Sequence, residues 1–203
     1  MIFLSNVKIQ YLPYVVIGII STVLMIIYNV SDWANINDSL WVFERTHIKN
    51  GELWRLITGH FLHTNVYHFV MNIIGLVLLC LLHGEYASTR TFAFNVVILC
   101  VATSIAIYFF SENIIWYVGL SGILHGIFAW GVIIDIKLKR KSGYILLVGL
   151  IIKLFDEQFL ESSTFMANLI EANVAVDAHL YGAVAGLILG LFHLKHIQRH
   201  DTQ

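Results

Sequence analysis

Apolar residues along this chain fall into six long runs, at about 12–30, 61–83, 92–110, 117–136, 143–156 and 176–196. Shorter stretches between them hold most of the charge. A helix that crosses a bilayer needs about 20 mostly apolar residues, and fewer where it is partly buried in protein. Each run therefore predicts a membrane-spanning α-helix. The fifth is the least regular, because Lys153, Asp156 and Glu157 interrupt it early. The first is expected to be a retained span: Lys8 is the only charge before it, and no small-x-small cleavage site follows. Residues 31–60 have a different texture. Trp33, Trp41 and Trp54 lie among scattered charges, which predicts segments anchored at the membrane interface. No repeat or flexible linker divides the 203 residues, so one all-α membrane domain over 1–203 is expected.

Composition supports this picture. Hydrophobic residues make up 58% of the chain, charged residues 12%, and there is one proline; a soluble domain is about half apolar and a quarter charged. A net charge of −1 offers no basic surface to nucleic acid, and the expected surroundings are a lipid bilayer. Cys80 and Cys100 both sit inside apolar runs and read as packing residues, not as a disulfide or a metal pair. Charge also orients the spans. Lys8, Arg90, the cluster Lys137, Lys139, Arg140 and Lys141, Lys195 and Arg199 fall on one side, while loops 111–116 and 157–175 carry no Lys or Arg. Only Arg45, Lys49 and Arg55, in the longer first loop, oppose the pattern. Both termini are expected in the cytoplasm.

Ionisable residues within spans are costly, and each one suggests a function. Here they gather near the outer side in three spans. The fourth opens with Gly119-Leu120-Ser121-Gly122, followed by His125 and Gly126; the sixth opens with Ala178-His179, then Gly182, Gly186 and Gly190; the second carries His60, His63, His68 and Asn72. The topology puts Ser121 and His179 at similar depth. With about 100° per residue, His179, Gly182, Gly186 and Gly190 share one helical stripe, and Ser121, Gly122, His125 and Gly126 share one face. Such small-residue faces let helices approach closely in lipid. If the two faces meet, His179 reaches the Ser121 hydroxyl. A serine needs an adjacent base to act as a nucleophile, and histidine supplies one near neutral pH. No Asp or Glu is placed within the spans to orient the histidine, so a Ser–His dyad is expected, not a triad. Acyl transfer also needs donors for an oxyanion. His68 and Asn72, four apart on one face, are the side-chain candidates, with the backbone N–H of Ser121 beside them.

These residues resemble the rhomboid family of intramembrane serine proteases. The likeness runs from Trp54-Arg55 through His63, His68-x-x-x-Asn72, Gly119-x-Ser121-Gly122 and Ala178-His179-x-x-Gly182-x-x-x-Gly186. It implies a six-span rhomboid-like bundle, Ser121 and His179 as the dyad, His68 and Asn72 at the oxyanion site, and no metal or other cofactor. Many rhomboids have tyrosine where His125 stands. The form Gly119-Leu120-Ser121-Gly122-Ile123-Leu124-His125-Gly126 is similar to rhombosortase, a bacterial branch. That likeness implies membrane-anchored substrates ending in Gly-Gly, a hydrophobic helix and a basic tail. It also implies residence in the bacterial inner membrane, with the active site toward the periplasm.

His125 lies four residues after Ser121 and could itself be the base; stacking on His179, orienting it, reading the substrate or simply lining the pocket are the other roles open to it. A general rhomboid protease acting on other single-span proteins is the alternative specificity. Three further readings compete. A metal or haem site could draw on His60, His63, His68, His125 and His179, but HExxH is absent and the serine between glycines would go unexplained. An inactive relative would be expected to lack the serine or the histidine. A transporter would place its polar groups near the midplane.

Overall fold

The computed structural model describes residues 11–30, 40–160 and 164–197. Among them the chain forms helices α1 (Leu12–Val30), α2 (Arg45–Lys49), α3 (Arg55–Thr58), α4 (Val66–His83), α5 (Thr89–Phe110), α6 (Ser121–Lys137), α7 (Lys141–Phe159), α8 (Thr164–Ile170) and α9 (Val176–Ile197). Strands β1 (Phe43–Glu44) and β2 (Trp116–Tyr117) make one short antiparallel ladder, with Phe43 opposite Tyr117 and Glu44 opposite Trp116.

Among the described residues, three helices are long and apolar enough to cross a membrane on length and composition: α4, α5 and the 176–193 part of α9. The apolar stretch of α1 is shorter by the same measure. Large apolar side chains such as Ile19, Leu81, Ile145 and Phe192 are exposed along the outer helices. An apolar exterior of this kind fits a lipid solvent, and the chain is an integral membrane protein.

α6 is the axis of the bundle. It packs on α9, α7, α4 and α5, and residues on every side of it are buried, among them Ile123, Ile127, Trp130 and Ile134. Its contact with α9 is glycine-built. A Cβ on Gly182 would lie 1.9 Å from the carbonyl oxygen of Gly122, and one on Gly186 would lie 2.0 Å from that of Gly126. No side chain fits there, so the two backbones touch. Gly190, deeper along α9, faces the side chain of Ile133.

The segment before α4 braces the start of α6. Glu44 caps α2 by accepting from the backbone N–H groups of Thr46 and His47. Arg45 donates to the carbonyls of Ile107, Tyr108, Ser111 and Ile114, holding the C-terminal end of α5. The buried Arg55 donates to the Val42 carbonyl and to Glu52. That bond from Arg55 holds the Glu52 carboxyl below the usual carboxylate range. Trp54 and Trp41 are exposed, and Trp54 donates from its ring to the Leu40 carbonyl. Trp33 lies outside the described residues.

Helix bounds depart from the apolar runs where side chains cap them. α4 starts at Val66, not near 61, because the Asn65 side chain accepts from the His68 N–H and Gly59–Phe61 form a separate 3-10 turn. α6 starts at Ser121 because Trp116–Tyr117 belong to the ladder and Gly119 has φ +129°. α7 runs on to Phe159, past its charges: Lys153 and Glu157 are one turn apart and bond to each other at 2.7 Å.

Candidate active site

Ser121 is the first residue of α6, presented by a loop that glycine alone allows. Gly119 adopts φ +129°, and a Cβ there would also lie 2.8 Å from the His68 ring. Its carbonyl accepts from the Tyr117 hydroxyl at 2.6 Å, and its N–H donates to Gly59. The loop is thus fixed on both sides before the helix begins.

His179 is in the first turn of α9, 6% exposed. The Gly122–Gly182 contact sets how closely α9 approaches, and it leaves His179 Nε2 at 2.8 Å from Ser121 Oγ. The opposite nitrogen, Nδ1, lies 3.0 Å from both carboxylate oxygens of Glu157 on α7. Glu157 is 7% exposed, and Lys153 donates to its Oε1 at 2.7 Å. The expectation that no carboxylate reaches the histidine is therefore corrected. The signal in the sequence was a seven-residue spacing. Gly143, Leu150 and Glu157 are the buried positions of α7, one stripe down a helix that otherwise faces outward.

His125 stacks on His179, with ring centroids 4.2 Å apart and planes 14° from parallel. Its Nδ1 donates to the Ser121 carbonyl at 2.8 Å. A carbonyl can only accept, so His125 holds its proton on Nδ1.

On the other side of Ser121, the His68 ring lies against Gly119, with Nδ1 3.1 Å from Thr64 Oγ1 and 3.4 Å from the Thr64 N–H. Thr64 in turn donates to the Ile170 carbonyl and Asn65 to that of Leu169, which ties α8 to the start of α4. A cavity of about 430 Å³ opens between these elements, bordered by His68, Ser121, His179, Tyr117, Val174 and Asp177 among others.

The remaining residues singled out in the sequence separate from this group. Asn72 is 5% exposed and its Nδ2 has no hydrogen-bond partner among the described residues, but it does not border the cavity. His60 bonds to the Cys100 carbonyl and Ser104 and is fully buried. His63 packs edge-on against His68 and Phe69. Cys80 and Cys100 are free thiols.

Among the described residues, the one group whose donor atoms gather closely enough for a metal ion is His125, Glu157 and His179. Its geometry suits a metal poorly. Imidazole lone pairs lie in the ring plane, and two stacked rings aim theirs in parallel instead of at one point.

The model of the rhomboid domain matches residues 50–196, most of the chain, while no curated protein matches it. The match spans every element just described, from α3 and the Gly59 turn to the glycines of α9. Rhomboid domains are those of intramembrane serine proteases, which act on membrane proteins within the bilayer. The chain belongs to the rhomboid family.

Proposed function

We propose that this protein is an intramembrane serine endopeptidase, with Ser121 as nucleophile and His179 as its general base. The observation that carries the reading is the 2.8 Å contact between Ser121 Oγ and His179 Nε2 at the edge of a cavity, with apolar helices around it. Hydrolysis of a buried peptide bond needs water and a substrate whose carbonyl is freed from its helix, and the cavity supplies room for both. Ser121 Oγ attacks the carbonyl carbon as its proton passes to His179 Nε2. The oxyanion that forms is held by the Ser121 N–H, beside the His68 ring that lies against Gly119. His179 then protonates the leaving amine, and water attacking the acyl-enzyme by the same route releases the product. Asn72, buried one turn from His68 with its Nδ2 unpartnered among the described residues, is the side-chain donor proposed for the same oxyanion.

The reading extends to six spans, formed by α1, α4, α5, α6, α7 and α9, with the basic cluster Lys137–Lys141 at the cytoplasmic ends of α6 and α7 and Ser121 at the periplasmic end of α6. Within the family, the run from Gly119 to Gly126 with His125 stacked on His179 favours the rhombosortase branch. The substrates are then exported proteins of a bacterial inner membrane that carry a C-terminal anchor of Gly-Gly, hydrophobic helix and basic tail.

Co-expression with two anchored reporters tests both levels. One reporter carries the Gly-Gly anchor and the other a plain single-span anchor. Cleavage of the first alone, lost in Ser121→Ala, is expected. Cleavage of both equally would keep the protease and remove the sorting specificity. Cleavage of either that persists undiminished in Ser121→Ala would overturn the protease reading.

A further inference from the structure

We propose that Glu157 is a positioning residue for His179, so that this protein works with a Ser–His–Glu relay instead of a dyad. The inference rests on Ser121 and His179 being the nucleophile and base.

Three observations carry it. The carboxylate meets His179 Nδ1 with both oxygens at 3.0 Å, on the side of the ring away from Ser121. It is buried beside the cavity's histidine, where an acidic group without a partner would be costly. And the register of α7 aims it there: the Gly143–Leu150–Glu157 stripe is the face by which that helix meets the bundle.

Proton placement then follows from donor and acceptor inventory. Lys153 is an ammonium that can only donate, and it donates to Oε1. A carboxylate bound this way accepts from both neighbours, so His179 carries its proton on Nδ1. Nε2 is left with a lone pair directed at the Ser121 hydroxyl, the tautomer a base requires. As the Oγ–carbon bond forms, the hydroxyl proton moves to Nε2, and the ring becomes an imidazolium. Glu157 keeps its negative charge opposite that cation and takes no proton; when the carbon–nitrogen bond breaks, the Nε2 proton leaves with the amine. His125, stacked on the face of the ring, leaves both edges free for this line of groups.

A glutamine at 157 tests the arrangement. One of the two atoms facing Nδ1 becomes an N–H donor, which favours the wrong tautomer and removes the counter-charge. Glu157→Gln is expected to lower kcat by about 100-fold or more with KM little changed, by analogy with loss of the orienting carboxylate in other serine proteases. Glu157→Asp, which keeps the charge one methylene further away, should recover part of the lost kcat; a purely structural role would not sort the two variants by charge. Where Glu157→Gln fails to fold in detergent, Glu157→Asp and Lys153→Met decide: both keep the carboxylate and should remain measurably active. Full wild-type kcat in Glu157→Gln overturns the proposal, as does equal loss in the Gln and Asp variants, or complete inactivity of both carboxylate-retaining variants. Ser121→Ala in the same assay keeps the two levels apart. If it is inactive while Glu157→Gln is fully active, the relay alone falls; if Ser121→Ala still cleaves, the nucleophile assignment falls with it.

Discussion

Two buried histidines in this protein each face a carboxylate, one at either end of α6, and they differ in what lies on the other side of the ring. His179 bonds to Glu157 through Nδ1 and to the Ser121 hydroxyl through Nε2, beside a cavity. His83 bonds to Asp135 through Nε2 at 3.2 Å, and Tyr86 and Arg140 close around the same carboxylate. The second nitrogen of His83 is packed against Gly131, where an added Cβ would come within 2.1 Å of it, and it has no partner among the described residues. No hydroxyl among the described residues bonds to it there. A buried His–carboxylate pair is thus not a site in itself. At the His83 end it ties α4, the 84–88 turn and α6 together; at the His179 end the same pairing points the other nitrogen at the Ser121 hydroxyl.

The contrast can be broken by substitution. Ser121→Ala or His179→Ala should lower cleavage of an anchored reporter by about 10⁴-fold or more, since such groups act as a unit, and Ser121→Ala should leave thermal unfolding in detergent nearly unchanged. The opposite end should respond the other way. Asp135→Ala leaves His83, Tyr86 and Arg140 without their shared acceptor, and loss of one partner from a buried pair costs about 3–5 kcal/mol; the unfolding midpoint should drop, while active-site labelling of the protein that remains folded stays at the wild-type rate. A drop in labelling rate without loss of stability would show that the His83 end takes part in the chemistry.

Gly182→Ala probes the link between the two ends. Its methyl would meet the Gly122 carbonyl at 1.9 Å, and overpacking a tight contact costs about 1–3 kcal/mol. Because α9 must move outward, His179 should withdraw from Ser121. Activity is expected to fall further than stability; a fall in stability with full activity would mean that the glycine contact does not set the Ser121–His179 distance. The smallest effect belongs to His125→Ala, which removes a stacked ring but neither edge contact of His179: about 10-fold or less on kcat, within the range of a modest packing and electrostatic change. If His179→Ala stayed active while His125→Ala were dead, the base would be His125.

The parts of the site that sequence made legible are those carried by short-range geometry. Ser121 and His179 sit at helix starts, and the glycine stripes beneath them follow from 100° per residue. Glu157 was hidden because a carboxylate near the end of an apolar run reads as the run's interruption. Its meaning depends on α7 continuing to Phe159 and turning one narrow stripe inward, a tertiary fact. For Asn72 the spacing from His68 gives a shared helix face, and only the fold shows its burial with an unpartnered Nδ2 among the described residues. Likewise Asn65, which falls inside the apolar run 61–83, decides where α4 begins by capping it, and an apolar run carries no mark of such a side-chain bond.

Labelling with a serine-reactive fluorophosphonate probe, on purified wild type, Ser121→Ala and His179→Ala side by side, tests the central claim most directly. Wild type should label, Ser121→Ala should not, and His179→Ala should label far more slowly. Equal labelling of wild type and Ser121→Ala, or none of either, would contradict Ser121 as the nucleophile.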